Sequence, residues 1–491
     1  MDYANKTALV LGLGESGLAM ARWLAHCGAT VRVADTREKP ERLSTLHHVL
    51  PAASFIGGAF STALLNDIDL IALSPGLMPD TELREIIPEA KKRGIPLQSE
   101  IELFARALAL WRKGKAYQPI IIAVTGTNGK TTVTRLAGQM CQQAGMRVRV
   151  AGNISPAVLD VWRTAVEQDD LPQAWVLELS SFQLWSTDSL QANAAAVLNV
   201  TQDHLDWHGT LSAYAAAKAR VFSPQTIQVL NRDDPAVMAM ANDKARVVRF
   251  GLDEPSLAGD FGVRLDRGMA WLTVAQADEE TTKTRKAREA VTWHFQDMMP
   301  AGALRIRGQH NVSNALAALA LCHSAGLPLA PLLHALREYR GEPHRVELVM
   351  NIVGVSYIDD SKGTNVGATV AAIRGLGSAD RKNLVLIAGG DGKNQDFTPL
   401  ASPIAQYVHT VLLIGRDAGR IRQVLRAVDV LLCDSLEEAV RKAAACAQEG
   451  DTVLLSPACA SMDMFRDYAH RAGVFASTVR EVALSRGEVV A

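Results

Sequence analysis

The sequence predicts an α/β protein with mostly parallel sheets, because apolar runs that suit buried strands alternate with helical patterns along the chain. Three of these runs lead directly into glycine-rich turns, which lie in different thirds of the chain: Gly12–Gly17, Gly126–Thr132 and Gly389–Lys393. A chain of 491 residues is long enough for about three domains of ordinary size. We therefore predict three domains, at residues 1–110, 111–342 and 343–491.

The composition excludes several classes of protein. With 48% apolar and 21% charged residues, each domain can bury a core, and the net charge of −1 argues against a general nucleic-acid or anionic-membrane binder. The six cysteines are scattered without a metal-binding spacing, which is typical of reduced thiols in a cytosolic protein. No uninterrupted apolar stretch is long enough to span a bilayer. We expect a cytoplasmic protein with no nucleic-acid partner and no membrane insertion.

The first third has the pattern of a Rossmann-like domain. Its predicted elements are the strands Thr7–Leu11, Val31–Ala34 and Leu70–Leu73 and the helix Ser16–Cys27. The glycines of Gly12–Gly17 follow the first strand and Asp35 ends the second, which matches the form of a dinucleotide-binding fingerprint. The same geometry holds any nucleotide diphosphate, so NAD(P) and a nucleotide-linked substrate both remain candidates.

The middle third contains a shortened phosphate-binding loop. Four strands are predicted there, at Ile120–Thr125, Trp175–Leu179, Ala195–Asn199 and Ile227–Asn231, with a helix at Asn314–Ser324. The first strand leads into Gly126, Thr127, Asn128, Gly129, Lys130, Thr131 and Thr132. Free amides at a helix start bind phosphate oxygens, a lysine adds charge, and a threonine can ligate Mg²⁺. This pattern predicts a nucleoside-triphosphate site, although its glycines are closer together than in the standard P-loop.

Polar residues follow two further strands of this region. Glu178 ends one strand and His204 lies just after another, so both fall at the edge of a parallel sheet where ligands bind. We interpret Glu178 as a Mg²⁺ ligand or an acid at a helix start, and favour a metal or substrate role for His204. Residues 276–290 are highly charged and are predicted to form a solvated excursion between strands. Lys218, in a helical segment of small residues, is by its sequence alone a surface lysine.

The last third repeats the strand, loop and helix pattern. Its predicted strands are Val355–Ile358, Leu384–Ala388, Val411–Ile414 and Thr452–Leu455. Acids, lysines, hydroxyls and amides cluster at Asp359–Asn365 and again at Gly389–Lys393, a mixture that packing does not require. Cys459 has no histidine partner in its motif and is interpreted as a small packing residue.

Taken together, these motifs resemble the Mur ligases, the ATP-dependent amide-forming enzymes of peptidoglycan precursor synthesis. The resemblance covers essentially the whole chain and is carried by Thr125–Thr132, Glu178–Leu184, Asn199–His204, Gly308–Asn311, His344–Arg345, Asp360–Lys362, Gly389–Lys393 and Leu455–Ser461. It implies a Rossmann-like domain for a nucleotide sugar, a central P-loop ATPase-like domain and a Rossmann-like C-terminal domain. It further implies that ATP phosphorylates the carboxylate of UDP-N-acetylmuramoyl-L-alanine and that D-glutamate attacks the acyl phosphate.

The resemblance also implies roles for individual residues. For ATP these are Gly126, Thr127, Asn128, Gly129, Lys130, Thr131, Thr132, Asn311, Asn314, Arg345 and Asp360. For the UDP-linked substrate they are Ser16, Asp35, Thr36, Arg37, Asn153 and His204. For D-glutamate they are Lys362, Thr364, Lys393, Ser461 and Tyr468. Two Mg²⁺ ions are expected on Thr131, Glu178, His204 and Lys218, the last as a CO₂-derived carbamate. The catalytic group is Lys130, Glu178, His204, Lys218 and Lys362, and the protein is expected to be a monomer.

Four alternatives are weighed against this interpretation. Another Mur ligase and a folylpolyglutamate synthase-like enzyme share the loop, but the Asp-Asn-Pro-Arg string of the diamino-acid-adding ligase does not occur here. An NAD-dependent oxidoreductase explains Gly12–Gly17 and leaves the lysine loop without a role. A non-catalytic ATP-binding sensor explains that loop but not the acids and lysines elsewhere.

Overall fold

The computed structural model describes residues 3–277, 293–378 and 380–488. Three sheets occur in chain order, and the first is a parallel sheet with the strand order β3-β2-β1-β4-β5. Its elements are β1 (Thr7–Leu11), α1 (Glu15–His26), β2 (Thr30–Asp35), α2 (Leu43–Val49), β3 (Ser54–Gly57), β4 (Leu70–Leu73), α3 (Ile86–Arg93), β5 (Leu97–Ser99) and α4 (Glu100–Lys115). Because β1 and β2 are adjacent and parallel, the Gly12 turn and Asp35 emerge at the same edge.

The second sheet has nine strands in the order β14-β13-β12-β11-β10-β9-β6-β8-β7. Its elements are β6 (Ile120–Thr125), α5 (Lys130–Gln143), β7 (Val148–Gly152), α6 (Val158–Glu167), β8 (Ala174–Glu178), α7 (Ser181–Trp185), β9 (Ala194–Val197), α8 (Leu205–His208), α9 (Leu211–Ala219), β10 (Ile227–Asn231), α10 (Pro235–Met238), β11 (Val247–Phe250), β12 (Phe261–Asp266), β13 (Met269–Ala277), β14 (Trp293–Pro300), α11 (Gln309–Ser324) and α12 (Leu329–Glu338). Strand β6 lies between β8 and β9 and is parallel to both, so the loops after these three strands meet at one edge.

The third sheet has six strands in the order β15-β16-β20-β17-β18-β19, and only β15 is antiparallel to its neighbour. Its elements are β15 (Glu347–Ile352), β16 (Val355–Asp359), α13 (Val366–Leu376), β17 (Leu384–Gly389), α14 (Ala401–Tyr407), β18 (Val408–Ile414), α15 (Ala418–Val424), β19 (Asp429–Leu432), α16 (Leu436–Cys446), β20 (Thr452–Leu455) and α17 (Tyr468–Ser485). Three α/β units with mostly parallel sheets confirm the predicted fold class.

The first two units share one apolar core. Phe104 of α4 lies edge-on to Trp162 of α6 and Trp175 of β8, with ring centroids 5.5 and 5.1 Å apart. Helix α4 continues to Lys115, past the division predicted at residue 110. The division into three domains at 110 and 342 stays a prediction.

Two other expectations concern the middle region. The helix predicted at Asn314–Ser324 begins earlier, at Gln309, because the polar residues of the preceding motif form its first turn. Of the charged segment 276–290, the first two residues end β13, and residues 278–290 lie outside the described residues. Within the described parts of the chain, no helix is both long and apolar enough to cross a membrane.

Candidate active site

The Gly126–Thr132 loop joins the central strand β6 to α5. Gly129 caps the helix with φ +83°, and a Cβ atom there would lie 2.4 Å from Asn314 Oδ1, so only glycine fits. The Lys130 ammonium folds back and donates hydrogen bonds to the carbonyl oxygens of Gly126 and Thr127 at 2.9 and 2.8 Å. Burial lowers the pKa of Lys130 below its ordinary value. The loop thus brings its lysine over its own backbone at the edge of the sheet.

Lys218 is buried, which corrects the surface position that its local sequence favoured. Its side chain projects from α9, is 1% exposed and donates a hydrogen bond to the Gly126 carbonyl oxygen at 2.8 Å. Nζ also lies 4.3 Å from the centre of the Tyr214 ring. Burial, reinforced by the charge of Lys130, lowers the pKa of Lys218 well below its ordinary value. A run of small residues around a lysine therefore marks a tightly packed helix here.

Glu178 presents one unpartnered carboxylate oxygen at the same edge. The residue is 2% exposed, and its Oε1 accepts a hydrogen bond from Asn153 Nδ2 at 3.0 Å. Its Oε2 is buried and has no hydrogen-bond partner among the described residues. Ser180, rather than Glu178, caps α7. A buried carboxylate oxygen without a partner suits a divalent cation, so the donor set fits the predicted Mg²⁺ ligand.

His204 lies at the start of α8, in the left-handed region with φ +53°. Its ring is edge-on to that of Phe182, with centroids 4.7 Å apart, and Nε2 lies 3.6 Å from Asp203 Oδ2. Burial is the main cause that lowers the pKa of His204, against the opposing charge of Asp203. A neutral imidazole results, and that form can ligate a metal ion.

Residues of the C-terminal unit reach the Gly126–Thr132 loop. Arg345 Nη2 donates a hydrogen bond to Thr131 Oγ1 at 2.8 Å. Asn365 Nδ2 donates to Asn128 Oδ1 at 3.0 Å and contacts Asp203 Oδ2 at 3.4 Å. These bonds join segments more than 150 residues apart in the sequence. The loop is therefore held from both the central and the C-terminal unit.

A cavity of about 240 Å³ lies beside the loop, between α11 and the C-terminal unit. Seven predicted ATP residues line it, namely Asn128, Gly129, Thr132, Asn311, Asn314, Arg345 and Asp360. Gly126, Thr127, Lys130 and Thr131 belong to the same loop but are not among its lining residues. Asp360 accepts a hydrogen bond from Ser456 Oγ at 2.7 Å, and burial raises the pKa of Asp360 to about 7. His310 and Phe250 also line the cavity and were not predicted.

The predicted D-glutamate residues do not all share one cavity. The Lys362 ammonium lies 3.5 Å from the centre of the Tyr468 ring, and Lys362 lines the cavity beside the loop. Lys393 instead lines a smaller cavity of about 70 Å³ together with His204. Thr364 donates its amide to the Lys362 carbonyl oxygen at 2.9 Å, and Ser461 is buried at a turn. Lys362 therefore lies at the cavity beside the loop, and Lys393 lies at a separate cavity beside His204.

The predicted UDP residues divide into two groups. Ser16, Asp35, Thr36 and Arg37 line one cavity of about 410 Å³ around the Gly12 turn. Asn153 lies beside Glu178 instead, and His204 is outside that cavity.

Asp35 is held in place within this cavity. It accepts hydrogen bonds from the Leu13 amide at 2.6 Å and from Arg37 Nε at 2.8 Å. Burial acts to raise the pKa of Asp35, but the hydrogen bonds from Arg37 and Leu13 outweigh it and lower that pKa to about 2.

Arg471 is a functional candidate that sequence reasoning missed. It is fully buried in α17 and donates hydrogen bonds to Ser361 Oγ at 3.0 Å and to the Cys459 carbonyl oxygen at 3.2 Å. It thereby ties the segment before Lys362 to the loop after β20. An arginine on the apolar face of a helix was the available signal. Cys459 is itself fully buried, as its interpretation as a packing residue requires.

Three family models match successive parts of the chain. Residues 6–99 match the MurD-like N-terminal domain of Mur ligases, residues 124–322 match the Mur ligase middle domain, and residues 344–459 match the Mur ligase glutamate ligase domain. Two solved structures share the fold. MurF from Acinetobacter baumannii has a TM-score of 0.56 at 16% identity and covers 96% of this chain and 90% of that chain. MurC, a UDP-N-acetylmuramate-alanine ligase from Thermotoga maritima, has a TM-score of 0.55 at 21% identity, covering 97% and 99%.

Curated relatives are much more similar in sequence. A UDP-N-acetylmuramoylalanine–D-glutamate ligase from Cupriavidus pinatubonensis is 56% identical, over 98% of this chain and 97% of that protein. A ligase of the same name from Burkholderia pseudomallei is 55% identical, over 99% of both chains. With this identity over nearly its full length, and with matches in all three units, the chain belongs to the Mur ligase family.

Proposed function

We propose that this protein joins D-glutamate to UDP-N-acetylmuramoyl-L-alanine at the expense of ATP, releasing ADP and phosphate, as a step of peptidoglycan precursor synthesis. The names of its full-length relatives support this substrate pair. The observation that carries the proposal is the convergence on the Gly126–Thr132 loop. Lys218 and Arg345, from two distant segments, both bond to this loop, whose own Lys130 folds back over its backbone.

The reaction needs two successive substitutions at one carboxylate. An oxygen of the alanyl carboxylate attacks the γ-phosphorus of ATP, the bond to ADP breaks, and an acyl phosphate forms. The amine of D-glutamate then attacks the acyl carbon, phosphate leaves with that carboxylate oxygen, and the amine loses a proton. Both steps bring anions together, so positioning and cationic side chains are the main requirement. Lys130 is proposed to hold the transferred phosphoryl group, and Arg345 to contact the nucleotide.

Two Mg²⁺ ions are proposed to bind where the loops after β6, β8 and β9 meet, on Thr131, Glu178, His204 and carbamylated Lys218. Bound Mg²⁺ would neutralise phosphate charge and align the reacting oxygens. The unpartnered Oε2 of Glu178 fits this role. Carbamylation requires a neutral amine, and the lowered pKa of Lys218 supports it.

The N-terminal and C-terminal units are proposed to determine substrate specificity. Lys362 and Lys393, with Thr364, Ser461 and Tyr468, would bind D-glutamate, whose two carboxylates suit two lysines. The cavity around the Gly12 turn, lined by Ser16, would take the uridine diphosphate. The lysine loop gives no support to the NAD-dependent oxidoreductase alternative, which leaves it without a role.

The test is phosphate release from ATP with each substrate omitted in turn. We expect release only when UDP-N-acetylmuramoyl-L-alanine and D-glutamate are both present, and no release from Lys130→Ala. Lys92→Ala, whose side chain is 79% exposed, is the matched control and keeps full activity. Turnover with L-lysine, diaminopimelate or a folate in place of D-glutamate would instead support another Mur ligase or a folylpolyglutamate synthase-like enzyme. Binding of ATP without any turnover would support the sensor.

A further inference from the structure

The hydroxyl of Ser16 lies between a buried acid and the cavity around the Gly12 turn. Ser16 lines that cavity. Its Oγ donates a hydrogen bond to Glu100 Oε2 at 2.6 Å. Glu100 is the first residue of α4, is 0% exposed and does not line the cavity, so the Ser16 hydroxyl links this buried carboxyl group to the cavity.

No described cation is hydrogen-bonded to Glu100. Its Oε1 accepts a hydrogen bond from the Leu159 amide at 3.2 Å, near the start of α6. The charge of Asp160 on α6 acts to raise the pKa of Glu100, and Arg22 of α1 is 3.5 Å from that acid. The carboxylate is therefore held by neutral donors, beside a second negative charge.

The other acids near this position have partners of their own. On α1, Glu15 Oε1 accepts a hydrogen bond from the Ser155 hydroxyl at 2.6 Å. On α4, Glu102 accepts from Arg106 Nε at 2.6 Å and from the Ser189 amide at 2.9 Å. Of the described acids Glu15, Glu100 and Glu102, Glu100 is thus a buried one without a positively charged hydrogen-bond partner.

The Ser16 hydroxyl can donate only one hydrogen bond, and two anions compete for it: the Glu100 carboxylate and the diphosphate of the ligand. While Glu100 is ionised, it accepts the hydrogen bond from the Ser16 hydroxyl, and Ser16 presents only lone pairs to the cavity. A diphosphate there would meet an oxygen that cannot donate, with a buried carboxylate behind it. If Glu100 is protonated, its own O–H donates to Ser16 Oγ, and the Ser16 proton becomes free to donate to a phosphate oxygen. The negative charge of the diphosphate favours the same protonation.

We propose that Glu100 is a positioning residue that takes up one proton from solvent when a nucleotide diphosphate binds, turning the Ser16 hydroxyl toward a phosphate oxygen. The inference rests on the proposed function, because it takes the Gly12 cavity as the site of the UDP-linked substrate. The free protein is suited to this uptake, since burial raises the pKa of Glu100 to about 7. Binding must therefore weaken as the pH rises above that value, where the proton has to be taken from a more dilute pool.

Calorimetric titration of the full-length protein with UDP-N-acetylmuramoyl-L-alanine, in pairs of buffers with different ionisation enthalpies, measures the protons taken up. We expect uptake that approaches one proton at pH 8.5, is nearly absent at pH 6, and accompanies a roughly tenfold loss of affinity between pH 7 and 8.5. The phosphodiester groups of this ligand are strong acids and do not titrate in that range.

Two variants and a control separate this role from a structural one. In Glu100→Gln the amide can donate to Ser16 Oγ while its oxygen accepts from Leu159, so we expect no uptake and an affinity independent of pH. Ser16→Ala binds more weakly and takes up much less than the wild-type amount of proton. Glu102→Gln, a buried acid of the same helix outside the site, keeps the wild-type uptake.

Wild-type binding without proton uptake would overturn the inference and leave the proposed function intact, as would uptake in Ser16→Ala that equals the wild-type value. If the wild-type protein does not bind this ligand at any pH, the proposed function fails, and the inference fails with it.

Discussion

Lys218 and Lys130 share a single hydrogen-bond acceptor, the carbonyl oxygen of Gly126, to which their ammonium nitrogens donate at 2.8 and 2.9 Å. The first comes from α9 and the second from the start of α5. Burial lowers the pKa of both groups, and the charge of Lys130 lowers the pKa of Lys218 further. Two amines therefore meet at the loop. The pKa of Lys218 is lowered more strongly, and a neutral amine is the form that reacts with CO₂.

Lys218→Ala is expected to lose activity, because the carbamate oxygen that would hold Mg²⁺ is gone. Short carboxylic acids such as acetate should restore part of it, since they can place a carboxylate oxygen in the space left by the side chain. The measurement is the rate of phosphate release with and without added acetate. Unchanged activity in the variant without acetate would show that Lys218 has no catalytic part.

The lowered pKa of Lys218 predicts a pH-dependent stability. The unfolded chain holds the lysine proton up to its ordinary pKa of 10.5, whereas the folded protein releases it at lower pH. Between the pKa of Lys218 in the folded protein and its pKa in the unfolded chain, the free energy of unfolding rises with pH, by about 1.4 kcal/mol per pH unit for one proton. Lys218→Met should remove this contribution. Urea unfolding at pH 7, 8 and 9 in CO₂-free buffer tests it, and parallel pH curves for the two proteins would contradict it.

Glu178→Gln should raise the Mg²⁺ concentration needed for half-maximal activity by about tenfold or more, because it removes the charge of the unpartnered oxygen. The change keeps the size of the side chain and the bond to Asn153. Glu167→Gln, an acid on the surface of α6, serves as the control. Equal Mg²⁺ dependence in wild type and Glu178→Gln would remove Glu178 from the metal site.

Lys362→Ala should raise the KM for D-glutamate about tenfold to a hundredfold and change the KM for ATP much less, because it removes one charged partner of a carboxylate. Tyr468→Phe keeps the ring over Lys362 and should have little effect, whereas Tyr468→Ala should raise the same KM about threefold or more. Steady-state kinetics with each substrate varied in turn distinguishes them. If the ATP constant changes most, Lys362 belongs to the nucleotide site instead.

The sequence predicted the elements that carry strong local signals. The strands Leu70–Leu73, Ile120–Thr125 and Thr452–Leu455 are found at the predicted bounds, because central parallel strands are short apolar runs ended by turns. Strands β12 to β14 were not predicted. They form antiparallel ladders near the end of the sheet, where more than half of the residues of each strand are only partly buried or exposed and the apolar run is broken.

For the site, motifs located the loops but not the distances between them. Nothing in the local sequence says that Lys218 is buried or that Arg345 reaches Thr131, since both facts depend on packing between distant segments. Arg471 and Glu100 were missed for a related reason. A charged residue inside an apolar stretch has meaning only when its partners are known, and these lie about a hundred residues away in Ser361 and Ser16.

The central claim is that the lysine loop activates the alanyl carboxylate for attack by D-glutamate. Its most direct test uses UDP-N-acetylmuramoyl-L-alanine with heavy oxygen in that carboxylate, followed by mass spectrometry of the phosphate released in the complete reaction. An acyl-phosphate route transfers one labelled oxygen to each phosphate and leaves the other in the new amide. Phosphate without label would contradict the account, because ATP would then be hydrolysed without ever bonding to the carboxylate.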